Sequence, residues 1–300
     1  MPVITEFAAP KYERKESHRQ SPFRYPGGKY YALKYILPFI VHEEYDEYRE
    51  PFIGGGCVFF ALPKVKHNVI NDLHSELMTV YRALADKEQR DNLIERVTEE
   101  VVTQERFDEV VAMEPKDDFE QAFKTFYINR TAYSGILHNP NIGYNEVKSS
   151  PPSNWHKRMR PCGEKLKGVE ITSDDFEVTI GADDGGRSVL MYLDPPYYEA
   201  DQKRAYVESF VEKDHVRLAR ILKHTPHRFC LSYDDCEWVR QTYAEFNIYP
   251  LQWQYNTDNI SGKKRKKGKE LIITNYEPNW PEQSEPVVVP VAVQPTLMDF

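Results

Sequence analysis

The 300-residue chain is short of cysteine, of long apolar runs and of basic excess, and each shortage excludes a class of protein. Its four cysteines, Cys57, Cys162, Cys230 and Cys236, include no C-x-x-C pair and no Cys/His set with zinc-ligand spacing. Neither a disulfide framework nor a metal site is expected; free thiols in a reducing cytoplasm are. The longest apolar runs, CVFFAL at 57–62 and VVVPVAV at 287–293, fall well short of the roughly 20 residues of a membrane span. The N-terminus has no apolar stretch followed by a small-residue cleavage site, so no signal peptide is expected. A net charge of -8 argues against a wholly basic nucleic-acid coat, but not against an enzyme with a local positive face. At 40% hydrophobic and 29% charged residues, the composition is that of an ordinary globular chain, long enough to bury a core without cross-links.

What is present is unevenly distributed. KKRKKGK at 263–269 places six cations in seven residues of an otherwise acidic chain. Residues 1–20 are polar, without periodicity, and read as a flexible arm. GKYYALKYILPFI (28–40) has the spacing of a helix with one basic and one apolar face. YREPFIGGGCVFFAL (48–62) reads as strand, glycine turn and helix, and HNVINDL (67–73) as a second strand. Residues 74–133 show helical spacing without an intervening strand, and the Asn, Gly, Ser and Pro of 138–155 predict a loop or hairpin. Strands are expected again at 168–172, 188–194, 227–234, 248–255 and 270–276. The last two flank the cationic segment and predict an antiparallel hairpin with a long basic loop. Strands alternating with helices imply a mostly parallel α/β sheet, interrupted by a helical block read as an inserted domain. Five prolines after Glu277 predict an extended, disordered tail over 277–300.

Three segments carry chemistry. Asp194-Pro195-Pro196-Tyr197 directly follows the apolar run VLMYL, and ligands of open parallel sheets sit beyond the carboxyl ends of the strands. Two prolines fix the backbone there and, lacking N–H groups, leave carbonyls pointing outward. A carboxylate, the Pro195 carbonyl and an aromatic ring make a clamp for a planar base bearing an exocyclic amine. The second segment, Glu50-Pro51-Phe52-Ile53-Gly54-Gly55-Gly56, is a glycine turn of the kind that cradles a nucleoside by close backbone approach. Phe59 stands where the dinucleotide fingerprint G-x-G-x-x-G has its third glycine. Asp72, about 20 positions on at the end of the next strand, suits ribose hydroxyls. The third, Tyr25-Pro26-Gly27-Gly28-Lys29, puts backbone N–H groups at a helix start, which suits an anion. Taken singly, the second and third fit ordinary turns as well as binding loops.

Together these segments resemble the S-adenosylmethionine-dependent DNA adenine-N6 methyltransferases of the Dam type. The resemblance covers roughly 21–276, and its elements arrive in order: YPGGK, EPFIGGGCVF, NDLHSEL, a helical insertion with FYINRTAYSGI, SDDFE, DPPY, LSYDD and ELIITNY. Cofactor motifs before the insertion and DPPY after it mark the alpha arrangement. The resemblance implies a Rossmann-like methyltransferase sheet formed by 21–74 and 166–276, with a target-recognition domain at 75–165. It assigns Tyr25, Lys29, Phe52, Gly54, Gly56, Asp72, Asp175 and Asp194 to the cofactor, and Asp194, Pro195, Pro196 and Tyr197 to catalysis. Arg130, Tyr133, Asn139 and Asn145 become the candidates for contacting DNA in the insertion. The stretch after YINRTAYSG is short and departs from the recognition hairpin of the best-known members, so the target sequence stays open.

The implied chemistry is direct methyl transfer to an adenine flipped out of the duplex, because its N6 is otherwise paired and unreachable. Two acceptors out of the ring plane would favour a pyramidal amine with a directed lone pair, by preorganised electrostatics and not by a strong base. The basic run, Lys263, Lys264, Arg265, Lys266 and Lys267, reads either as a solvated charge run or as a phosphate-contacting loop beside the site. The terminal Gln294, Leu297 and Phe300 resemble the short motif by which replication and repair proteins dock on sliding clamps. Double-stranded DNA is the expected partner, with a sliding clamp and a cognate restriction endonuclease as further candidates and no membrane. Competing readings are an RNA or protein-amide methyltransferase, whose members commonly have Asn at the position of Asp194, a nicotinamide-dependent dehydrogenase, and an inactive clamp-tethered DNA-binding module.

Overall fold

The structure, a computed structural model, describes residues 21–25, 27–199, 210–254 and 267–280, with the backbone alone at 252–254 and 267–269. The N-terminal arm, most of the basic run (255–266) and the clamp-motif residues Gln294, Leu297 and Phe300 lie outside the described residues.

Among the described residues there are seven strands: β1 (Glu47–Glu50), β2 (His67–Asn71), β3 (Glu170–Thr172), β4 (Val189–Leu193), β5 (Arg228–Asp234), β6 (Asn247–Gln254) and β7 (Lys267–Thr274). They form one sheet in the order β3-β2-β1-β4-β5-β7-β6. The first five are parallel neighbours, whereas β7 runs antiparallel to both β5 and β6. This is the expected Rossmann-like arrangement with a terminal antiparallel hairpin. The central strand β4 is buried at every position, as an apolar run covered on both faces must be. Its side chains alternate between two cores. Leu190 and Tyr192 pack with Phe39, Phe59 and Ile70, while Val189, Met191 and Leu193 pack with Phe176, Leu218 and Phe229.

The helices are α1 (Leu33–Ile36), α2 (Cys57–Ala61), α3 (Ser75–Ala85), α4 (Lys87–Thr98), α5 (Gln104–Ala112), α6 (Asp118–Thr131), α7 (His156–Leu166), α8 (Phe176–Gly181), α9 (Glu212–His224) and α10 (Glu237–Thr242). Side-chain caps set several starts: Asp86 accepts from the Gln89 N–H, Thr103 from Arg106 and Asp117 from Glu120. The helical block α3–α7 shares its core with the sheet. Tyr81, Leu84, Leu93, Phe126 and Trp155 belong to the same buried cluster as Leu190 and Tyr192.

Two expectations change. The single helix read over 28–40 is three short pieces, a 3-10 turn at Lys29–Tyr31, α1, and a second 3-10 turn at Leu37–Phe39. Pro38 lacks an N–H and crowds the preceding turn, so an unbroken helix cannot form there. Lys29 thus opens a single 3-10 turn and not an α-helix. Residues at the start of the expected tail are packed on the fold: Trp280 packs edge-on against Phe39 at 5.0 Å, and the Asn279 N–H donates to Glu43 at 2.7 Å.

On β1, Arg49 is buried and ties the sheet to the end of α8. Its guanidinium donates to Glu47 at 2.5 Å and to the carbonyls of Thr179, Ala182 and Asp183 at 3.1, 2.8 and 3.3 Å. R49A should cost about 3 kcal/mol in urea unfolding, because Glu47 stays buried with one fewer cation and three carbonyls lose their donor. A loss below about 1 kcal/mol would mean that water replaces the guanidinium.

Candidate active site

A cavity of about 430 Å³ opens at the carboxyl ends of β1, β2 and β4. The strand order reverses between β1 and β4, and that crevice is where ligands bind in open α/β sheets. The glycine turn after β1 forms one wall. It is pinned at three points: the Ile53 N–H donates to the Asn71 carbonyl, the Gly54 N–H to Asp72 Oδ2, and the Tyr81 hydroxyl to the Gly54 carbonyl, each at 2.8 Å. Gly54 and Gly56 have φ of 44° and 70°, the region that favours glycine. A Cβ on Gly55 would stand 2.7 Å from Cβ of Tyr25, so the bare turn is what lets Tyr25 pack on it.

Asp72 accepts a second backbone N–H, from His74 at 3.0 Å. Burial raises its pKa, and the two N–H groups pull it back in part. Its neighbour Asn71 spends its whole amide on the scaffold. It donates to the carbonyls of Pro51 and Asp174 at 3.0 and 2.9 Å and accepts from the Thr172 hydroxyl and the Asp174 N–H at 2.8 Å. One side chain at the end of β2 thereby fixes the loops after β1 and β3. Asp175 caps α8 through the Glu177 N–H at 2.9 Å and pairs with Arg217 at 2.8 Å. Phe52 and Phe176, ring centroids 5.4 Å apart, form an apolar wall edged by Phe210.

At the other side lies the corner after β4. Asp194 Oδ1 is 2.8 Å from Lys29 Nζ, and that ammonium sits 4.6 Å above the ring centroid of Tyr197. Burial raises the Asp194 pKa, and Lys29 opposes the shift. Burial also keeps the Tyr197 phenol protonated far above its ordinary range, with Glu270 adding to the effect. Glu50, buried at the end of β1, is pushed up to about 8, by burial first and then by Asp194, against the Tyr48 hydroxyl that donates to it at 2.6 Å and the charge of Lys165.

All eight residues assigned to the cofactor line this cavity: Tyr25, Lys29, Phe52, Gly54, Gly56, Asp72, Asp175 and Asp194. Pro196 lines it too, whereas Pro195 is buried outside the lining, and Tyr197 stands beyond Lys29. Sequence reasoning missed Gly135–His138, Phe210, Asp214 and Arg217, which also line it. The first four come from the turn after α6, and only the packing of that helix brings them here.

The candidates for DNA contact lie outside the cavity lining. Tyr133 is 68% exposed at the start of a small hairpin closed by the Ala132–Ile142 bridge. Asn139, in that hairpin, has φ 46°. Asn145 Oδ1 accepts the N–H groups of Val147 and Lys148 at 3.1 and 3.0 Å, shaping its own turn. Arg130 is buried against Trp155, its Nε and Nη1 without a hydrogen-bond partner among the described residues. Burial, then Arg158 and Arg24, depress its pKa to about 10. Of the basic run only Lys267 is described, as the first residue of β7, by its backbone. All four cysteines are free, and among the described residues no group of three or more His, Cys, Asp or Glu could hold a metal ion.

The Glu50 shift has a measurable consequence. A carboxyl raised from 4.5 to about 8 on folding gives a stabilising contribution that is complete below pH 4.5 and lost as pH rises through about 8. E50Q should therefore lose less stability than the wild type between about pH 5 and 9 in urea titrations. Parallel pH profiles would show that Glu50 is already ionised in the fold.

Comparison with known proteins agrees with the geometry. Residues 25–257 match the family described as D12 class N6 adenine-specific DNA methyltransferase. The chain is 29% identical over 279 residues to the type II methyltransferase M1.LlaDCHI of Lactococcus lactis subsp. cremoris, a match spanning 85% of this chain and 95% of that protein. It is 28% identical over 292 residues to the type II methyltransferase M.MjaIII of Methanocaldococcus jannaschii, spanning 85% and 99%. A further match, 28% over 189 residues, is to the DNA N-6-adenine-methyltransferase of Escherichia phage P1, spanning 59% of this chain and 24% of that one.

Proposed function

The chain belongs to the D12 class N6 adenine-specific DNA methyltransferases, and from that membership we propose that its cavity takes S-adenosylmethionine while the Asp194–Tyr197 corner takes a flipped-out adenine. The donor set fits the cofactor. Asp72 is a fixed acid for ribose hydroxyls, and Asp175 beside the Phe52–Phe176 wall suits an adenine with its amine. Tyr25 and Lys29 line the same cavity. When bound, the cofactor supplies an electrophilic methyl group; the protein supplies positions and charges.

The observation that carries the reading is the place of the Lys29 ammonium. A nitrogen bearing protons sits between the Asp194 carboxylate and the face of Tyr197. Those are the two groups that an adenine amine and its ring require. The amine's lone pair is delocalised into the purine, so it is a weak nucleophile. Asp194 accepts one amine hydrogen, and a carbonyl of the proline pair accepts the other, favouring a directed lone pair. Tyr197 offers a stacking face that offsets the few kcal/mol lost on extrusion from the duplex. Asp194 is the first stop for the departing proton. Asp194 itself counts against the amide- and RNA-modifying alternatives, as does membership of the family.

For the duplex, the support is a row of features on the helical block, read as the target-recognition domain. Arg130, buried near Arg24 and Arg158, adds to a local positive charge, and Tyr133 is exposed three positions on. A local concentration of positive charge suits phosphate. The run Lys263–Lys267 would add a sequence-independent contribution. For the terminal residues, docking of Gln294, Leu297 and Phe300 on a sliding clamp is a proposal from sequence alone, and a cognate restriction endonuclease one from the type II names of the relatives. Deleting 294–300 should abolish binding to purified clamp; unchanged affinity would dispose of that reading.

D194A should lower methyl transfer to duplex DNA by at least about 100-fold while leaving duplex binding in place. Retained transfer would refute the role of the carboxylate. R130A should weaken binding uniformly across sequences and flatten the slope of log K against log salt by about 1. A sequence-dependent loss with the slope unchanged would assign Arg130 to base reading instead.

A further inference from the structure

Directly opposite each other across the β5–β7 ladder stand two acids, Asp234 and Glu270. Residues paired in this way project from the same face of the sheet, and like charges there repel. Glu270 is also only 2% exposed, so its carboxylate has lost most of its hydration. Leu271, Ile272 and Ile273 follow it on the same strand, all fully buried.

Both acids grip one short segment. Asp234 accepts the N–H groups of Tyr198 and Glu199 at 2.9 and 2.8 Å. Glu270 Oε2 accepts the Tyr197 hydroxyl at 2.5 Å. Tyr198 is further held by Trp238, its ring stacked at 4.4 Å and 4°. The tyrosine of the catalytic corner is therefore fixed at both ends: its following backbone by one acid and the tip of its ring by the other.

We propose that Glu270 is a positioning residue for adenine methylation, setting the plane of the Tyr197 ring on which the target base stacks and enriching that ring with electron density. The inference rests on the reading that Tyr197 receives the flipped adenine. A tyrosine held only by its backbone keeps rotational freedom that must be lost when the base arrives; a tip already bonded has lost it beforehand. A carboxylate acceptor on a phenol also deepens the negative face of the ring, which attracts cations. The purine gains positive charge as its amine begins to bond the methyl carbon and sheds it with the N6 proton, so the gain is greater in the transition state than in the bound base. Glu270 lies three residues into β7, the strand that continues directly from the cationic run.

The test measures kcat and KM for methyl transfer to duplex DNA in the full chain, for wild type, Y197F, E270A, E270Q and the Y197F/E270A double variant. Y197F and E270A should each lower kcat about tenfold with a smaller change in KM for DNA, and the double variant should be no worse than either single. E270Q, whose amide oxygen still accepts from the phenol, should recover most of the E270A loss. Wild-type kcat in Y197F, or losses that multiply in the double variant, would overturn the proposal, since a merely structural Glu270 would cost the same with or without the hydroxyl. Should E270A fail to fold, Y197F and E270Q decide alone: a full kcat in the first or an alanine-like loss in the second overturns it. A wild type that methylates no adenine would refute the underlying reading, and this one with it.

Discussion

The ion pair of Asp194 and Lys29 is the contact on which the site depends. It joins the end of the central strand to a turn from the beginning of the chain, across the crevice where the sheet reverses its order. A carboxylate buried at the end of an apolar strand is expensive alone, and a cation at 2.8 Å is what makes its charge tolerable. The pair is also a chemical template. It holds an acceptor, a proton-bearing nitrogen and an aromatic face in the relation that amine methylation needs. The rest of the fold keeps these three in register.

That registration is made by side chains that touch no expected ligand. Asn71 joins two loops with one amide, Tyr81 holds the glycine turn from the helical block, and Asp234 and Glu270 hold the segment after the prolines. The helical block therefore contributes to the cavity as well as packing beside the sheet. Its shared core with the sheet makes relative movement of the two costly, so the turn after α6 that lines the cavity is carried on a rigid support.

The strands and the residues that line the cavity were legible because each has a short-range signature. An apolar run ending in Asp-Pro-Pro-Tyr and a strand ending in Gly-rich turn or acid announce themselves locally, and the parallel topology brings their ends together. The break within 28–40 was written in Pro38, but the amphipathic spacing around it outweighed that signal. The packed residues 277–280 were masked by the prolines beyond them, since one Trp against Phe39 is invisible to composition. Glu270 could not be read as part of the site, because a lone acid beginning an apolar strand is common. Only the cross-strand register with Asp234 and the bond to Tyr197 give it meaning. Arg130 was picked out by resemblance, yet its burial against Trp155 belongs to the tertiary structure alone.

The central claim concerns one position in space, and a crystal structure with a non-reactive cofactor analogue and a duplex containing the target site examines it directly. The account predicts an extruded adenine lying on Tyr197, its amine within hydrogen-bond distance of Asp194 and the Lys29 ammonium moved aside. An adenine bound elsewhere, with Lys29 still on Asp194, would contradict it.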